Sequence, residues 1–192
     1  MLRLGRNNDG PIWEVTFVDL LDNSSEVRAR LGDAALVEKI KSWAGTRVTV
    51  ETSPDVSSQA AEATLLALIK AGIESFHVIG PYVVQGRRIY YMSSQDNGIT
   101  DPELVIDRAM LREVAREYGL MEKAYRWPDG RRTLAIQFLI DESGKIAEIL
   151  WGRSPFTADL QAKISAHVRV TKPAHRGVDA IPGVAMIRID IQ

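Results

Sequence analysis

Three histidines, His77, His167 and His175, are the side chains best suited to acid–base work near neutral pH. His77-Val78-Ile79 and His167-Val168-Arg169 each lie beside a predicted strand. Two histidines on facing strands could serve as acid and base on a phosphodiester. A hydroxyl two residues after each histidine would hold the phosphate, but the chain has Ile79 and Arg169 there. A plainer reading puts His77 at a strand end and His167 at a helix end, where its cation suits the dipole. Their spacing offers no metal ligand set.

Two basic pairs follow, Arg87-Arg88 and Arg131-Arg132. Tyr82, Tyr90 and Tyr91 flank the first. Arginine beside aromatic rings can grip phosphate and stack bases. The structural reading of the same residues is a solvated turn with tyrosines half-buried on a sheet. Asp96, Asp101, Asp141 and Glu142 fall in predicted loops; Asp101 suits a helix cap and Asp141 a hairpin turn. The chain has no Gly-x-x-x-x-Gly-Lys, Gly-x-Ser-x-Gly or His-Glu-x-x-His. The sequence therefore names no catalytic residue, metal or cofactor, and it points away from an enzyme.

Composition bounds the rest. The 192 residues suffice for one large domain or two small ones. With no cysteine, disulfides, thiolate zinc sites and cysteine nucleophiles are excluded. A net charge of −1 argues against a nucleic-acid partner. No stretch reaches the roughly 20 apolar residues of a membrane span, and the first ten residues have no signal-peptide core. The chain reads as soluble, cytoplasmic as it stands, or periplasmic if an anchor precedes Met1.

The elements that position these residues follow from periodicity. Trp13, Val15 and Phe17 alternate in a predicted strand over 12–18. Val27, Leu31, Ala34, Val37 and Ile40 predict a helix over 26–43. The run 47–52, a helix over 57–71 stopped by Gly72, and a strand over 76–79 make one β-α-β unit. A hairpin is expected over 82–91. Thr100-Asp101-Pro102-Glu103 predicts the start of a helix that ends at Gly119. Strands are expected over 133–140 and 146–151, a helix capped by Thr157 up to about 167, and a loop over 173–183. In a terminal strand over 184–191, Arg188 and Asp190 face outward while Ile187, Ile189 and Ile191 face inward.

Two stretches resemble known families. Residues 47–80, with their strand, aspartate turn, helix and Ala71-Gly72-Ile73 step into a second strand, resemble the periplasmic domain of the ExbD/TolR family. Residues 134–192 resemble the C-terminal domain of TonB-like energy transducers. They share a hairpin from Asp141 to Gly144, a short helix, the Lys172-Pro173-Ala174 step and an alternating last strand. The likeness implies a similar fold and a protein-docking role. The chain lacks the families' membrane helix, its acidic residue and the proline-rich spacer, so proton-coupled transduction is not implied.

The expected class is α+β: two small sheet-and-helix modules over 1–96 and 97–192, or one mixed sheet with helices on one face. The expected function is non-enzymatic protein binding or homo-oligomer assembly through an exposed sheet edge. His77, Tyr82, Arg87, Arg88 and Ile189 are its candidate binding residues. The alternative is a phosphate- or nucleotide-directed enzyme or sensor using His77, Arg87, Arg88 and His167.

Overall fold

A computed structural model of the chain describes residues 2–6, 13–17, 27–30, 41, 47–52, 58–73, 75–94, 97–152 and 154–191. The class is α+β. The chain forms two compact units, Met1–Ile89 with Ser94–Gly98, and Tyr90–Ser93 with Ile99–Gln192. It therefore passes between them three times, after Ile89, Ser93 and Gly98.

In the first unit, β4 (Arg47–Thr52), α1 (Ser58–Lys70) and β5 (Ser75–Ile79) form the expected β-α-β unit. The two strands are parallel, in register from Arg47↔Ser75 to Glu51↔Ile79. Ala61, Leu65 and Leu68 of α1 are buried, at the spacing of one helix face. Gly72 (φ +89) stops the helix. Its N–H reaches the Ile69 carbonyl and that of Ile73 reaches the Leu68 carbonyl, a double closure that needs a left-handed residue between them. β6 (Tyr82–Gln85) and β7 (Arg88–Tyr91) follow as the predicted hairpin, Tyr90 and Tyr91 being assigned to the second unit.

One expectation is corrected here, and one strand is new. Val27–Arg30 is a strand, β3, antiparallel to β2 (Trp13–Phe17), and not the start of a helix. Val27-Arg28-Ala29-Arg30 alternates apolar and charged residues, so the two-residue period prevails locally over the 3.6-residue one. The rest of that predicted helix, apart from helical Lys41, lies outside the described residues, as does Asp96. The chain also has an unanticipated strand, β1 (Leu2–Arg6). It lies between β2 and β4, antiparallel to the first and parallel to the second, giving the order β3-β2-β1-β4-β5.

The second unit is built on β11 (Arg132–Ile140) and β17 (Gly183–Ile191), antiparallel over nine residue pairs from Arg132↔Ile191 to Ile140↔Gly183. β12 (Ile146–Trp151) and β13 (Ser154–Pro155) extend the sheet beyond β11. β7 adds at one point, Gly183↔Tyr91. Leu134, Ile136, Phe138 and Ile140 share a face with Ala185, Ile187 and Ile189. Leu111, Val114 and Ala115 of α2 (Arg108–Glu117) and Leu160 and Ile164 of α3 (Ala158–Ser165) complete this core. Gly183 is a point of close approach: a Cβ there would overlap that of Ala174 and lie 3.0 Å from Cγ of Pro102.

Three further expectations change. Residues 99–100 and 103–106 are strands, β8 and β9, and α2 begins only after Asp107. Leu104-Val105-Ile106 pairs with β14 (Val168–Lys172), so tertiary pairing overrides the helix-start signal at Thr100. Asp101 accordingly caps no helix; its carboxylate accepts from the Ser93 N–H at 2.9 Å and the Ser93 hydroxyl at 2.7 Å. The predicted loop at 173–183 contains a hairpin, β15 (Ala174–Arg176) and β16 (Asp179–Ile181). Gly177 (φ +64) supplies the left-handed residue of its turn. Among the described residues no helix is long and apolar enough to cross a membrane.

Asp107 caps α2, its carboxylate accepting from the Met110 N–H at 3.1 Å, whereas Thr157 precedes α3 without a side-chain cap bond. Asp107→Ala should therefore cost about 1 kcal/mol, and Thr157→Ala less than about 0.5 kcal/mol, in urea unfolding. Tyr118 donates its hydroxyl to the Asp159 carboxylate, joining the end of α2 to the first turn of α3. This bond holds the phenolic proton and raises the Tyr118 pKa from 10.0 to about 12. The folded value exceeds the unfolded one, so the stabilisation is full below pH about 10 and is lost as pH rises through about 12. In phenolate absorbance, Asp159→Asn should move one tyrosine from the late-titrating range back toward the ordinary one.

Candidate functional site

The sequence candidates are divided between the two units. His77 lies on β5 in the first unit and His167 just before β14 in the second. The backbone of His167 links neighbouring elements: its carbonyl accepts from the Asp107 N–H, and its N–H donates to the Ile164 carbonyl. His175 Nδ1 lies 2.8 Å from the Pro173 carbonyl, which can only accept, so that nitrogen carries the proton. Among the described residues no three His, Cys, Asp or Glu side chains could share a metal ion.

The tyrosines near Arg87 and Arg88 are core residues. Tyr82, Tyr90 and Tyr91 are all buried, so they are not the half-exposed platform that base stacking needs. The Tyr82 hydroxyl donates to the Ser58 carbonyl at 2.8 Å, and the guanidinium of Arg176 sits 4.9 Å from the Tyr91 ring centre. Arg87 is exposed and Arg88 half-buried at the hairpin turn. Ile189 is 1% exposed, facing the core as its alternation predicts.

Several backbone groups on the outward sides of β12 and β17 are met by other elements. On one side, Ile149 donates its N–H to Oε1 of Gln161 at 3.0 Å and accepts from the Phe156 N–H at 3.1 Å. On the other, the carbonyls of Arg188 and Asp190 accept from Arg108 and Arg112 of α2, at 2.9 and 3.1 Å. Side-chain and loop contacts of this kind blunt a sheet edge.

The sheet face opposite the core is different. Residues opposite one another on neighbouring strands share a face. One row holds Asp190, Thr133 and Tyr125, the last from β10 (Tyr125–Arg126). Arg188 lies opposite Ala135, and Met186 opposite Gln137. The hairpin turn then brings Trp127 opposite Arg131 through a 2.8 Å backbone bond. Tyr125 is 62% exposed and Trp127 42%, and exposed Met186 lies further along the same face.

These aromatics are fixed in place. Tyr125 and Trp127 meet edge to face, with ring centres 4.9 Å apart. The indole N–H of Trp127 donates to the Thr133 hydroxyl at 3.0 Å, and that hydroxyl donates to Asp190 at 2.9 Å. The turn is braced by Asp129, which accepts from the backbone N–H and the guanidinium of Arg131. The same two bonds, the backbone one foremost, hold Asp129 below its ordinary carboxylate range. Lower on the sheet, burial pushes Glu148 above its ordinary range.

Sequence reading passed over this site. Its signal is Tyr125-Arg126-Trp127 directly before the Pro128-Asp129-Gly130 turn, two aromatics at strand spacing and hence on one face. Comparison of the chain with family models, curated proteins and solved structures finds no match in any of the three.

Thr133→Val should break the chain from Trp127 to Asp190. The expected result is faster solvent exchange of one indole N–H in tryptophan-labelled NMR spectra and a loss of about 1 kcal/mol in stability.

Proposed function

We propose that this chain is a non-enzymatic protein-binding or assembly module that docks through the exposed aromatic end of the sheet face opposite its core. The observation that carries this reading is the exposed, hydrogen-bonded Tyr125–Trp127 pair. Large rings already fixed by a neighbour lose little conformational freedom when a partner covers them. Arg131, Arg188 and Met186 extend the same face. Aromatic residues, Arg and Met are the types enriched at protein interfaces. The fitting partner is a protein surface that offers an apolar side chain to the rings and a carboxylate to the arginines. The resemblance of residues 134–192 to transducer docking domains points the same way.

A photo-crosslinking residue at position 131 tests this in extract of the native host, with position 178 as control, since Val178 is 94% exposed and lies on another hairpin. One dominant adduct should form from position 131. Trp127→Ala should reduce it by about tenfold or more, the effect expected of an interface anchor. The same adducts from both positions, or an adduct indifferent to Trp127→Ala, would overturn the reading.

A further inference from the structure

The two arginines that reach the terminal strand are matched to it in spacing. Arg108 and Arg112 stand four residues apart on α2, about 6 Å along the helix axis. The carbonyls of Arg188 and Asp190 stand two residues apart on β17, about 6.8 Å along the strand. One helix face therefore serves both carbonyls at once, at 2.9 and 3.1 Å. Backbone groups alternate in direction along a strand. Those of residues 188 and 190 thus point away from β11, the direction in which the Pro182 carbonyl accepts from the Tyr91 N–H. Pro182 shares their even-numbered phase, so β7 closes one end of this outer edge and α2 closes the other.

The same edge is complementary to itself. An antiparallel pair of two β17 strands centred on Ile189 would place residue 188 of each copy opposite residue 190 of the other. Both would then be hydrogen-bonded pairs, because both sets of backbone groups face outward. Their side chains are Arg188 and Asp190, exposed on one face of the strand. Each arginine would oppose an aspartate across the two-fold axis, a favourable cross-strand charge pair and an isologous contact.

We infer that Arg108 and Arg112 are gatekeepers that hold shut a self-complementary strand edge, and that its occupant when they are withdrawn is β17 of a second copy of this chain. Guanidinium groups bound to the two carbonyls compete directly with the incoming strand. The inference rests on the backbone edge of β17 and does not require the Tyr125–Trp127 pair, although Arg188 lies on the face proposed for docking.

The test is light scattering coupled to size exclusion on the wild-type chain and the Arg108→Ala/Arg112→Ala double variant. The double variant should show a species of twice the wild-type mass. Adding Arg188→Pro should return it to the wild-type mass, because proline there removes an outward N–H while leaving the β11 ladder in place. Arg188→Glu, which sets like charges across the axis, should weaken the association as well. A double variant that keeps the wild-type mass overturns the inference, even if its melting temperature falls, since a merely structural role predicts that result. Association that survives Arg188→Pro overturns it too, by placing the contact elsewhere. Should the double variant fail to fold, Arg108→Gln and Arg112→Gln each expose one carbonyl. Gained mass in either that Arg188→Pro removes supports the inference, and wild-type mass in both overturns it.

Discussion

The β11–β17 ladder is the constraint on which the second unit depends. Its nine residue pairs fix which side chains look to the core and which look outward. Leu134, Ile136 and Phe138, with Ile187 and Ile189, meet α2 and α3 on one side. Thr133, Ala135 and Gln137, with Met186, Arg188 and Asp190, fall on the other. A slip of one residue would exchange the two sets, burying Arg188 and Asp190 and exposing Ile187 and Ile189. With ionised groups costing several kcal/mol each to bury unpaired, that alternative register is closed. The position of the Tyr125–Trp127 pair is therefore set by the hydrophobic pattern of strands to which those rings do not belong.

Edges and faces of this sheet have been given different fates. Backbone groups along an edge seek partners, and any extended chain can supply them. Here Gln161, the Phe156 N–H, Arg108 and Arg112 meet several of them. The bonds come from elements already required for the core: α3 brings Gln161, and α2 brings both arginines. Under the proposed docking role, selectivity falls to side chains on the face opposite the core, where ring geometry and charge placement would discriminate between partners better than a backbone ladder does.

Much of this was legible in the sequence. The β-α-β unit, the hairpin around Gly144 and the alternation of the last strand each announce themselves through period and turn chemistry. Failures came where two local signals competed. At Thr100-Asp101-Pro102-Glu103 a credible helix start yields to the pairing of Leu104–Ile106 with β14, a partner more than 60 residues away. Over Val27–Arg30 a longer helical period masks a short alternation. The aromatic pair could have been found from its two-residue spacing. The arginine caps could not, because they require α2 to lie beside a strand about 80 residues later, a fact of tertiary placement.

The route of the chain between its two units has a practical meaning. Tyr90–Ser93 belong to the second unit, although the chain returns to the first at Ser94–Gly98 before entering the second for good. Tyr91 contributes its N–H to Pro182, and Ser93 contributes two donors to Asp101. A gene cut at residue 96 to express the halves separately would leave those four residues with the wrong fragment. The C-terminal piece would lose the strand beside Gly183 and the partners of Asp101. A C-terminal piece that keeps these contacts must therefore begin no later than Tyr90.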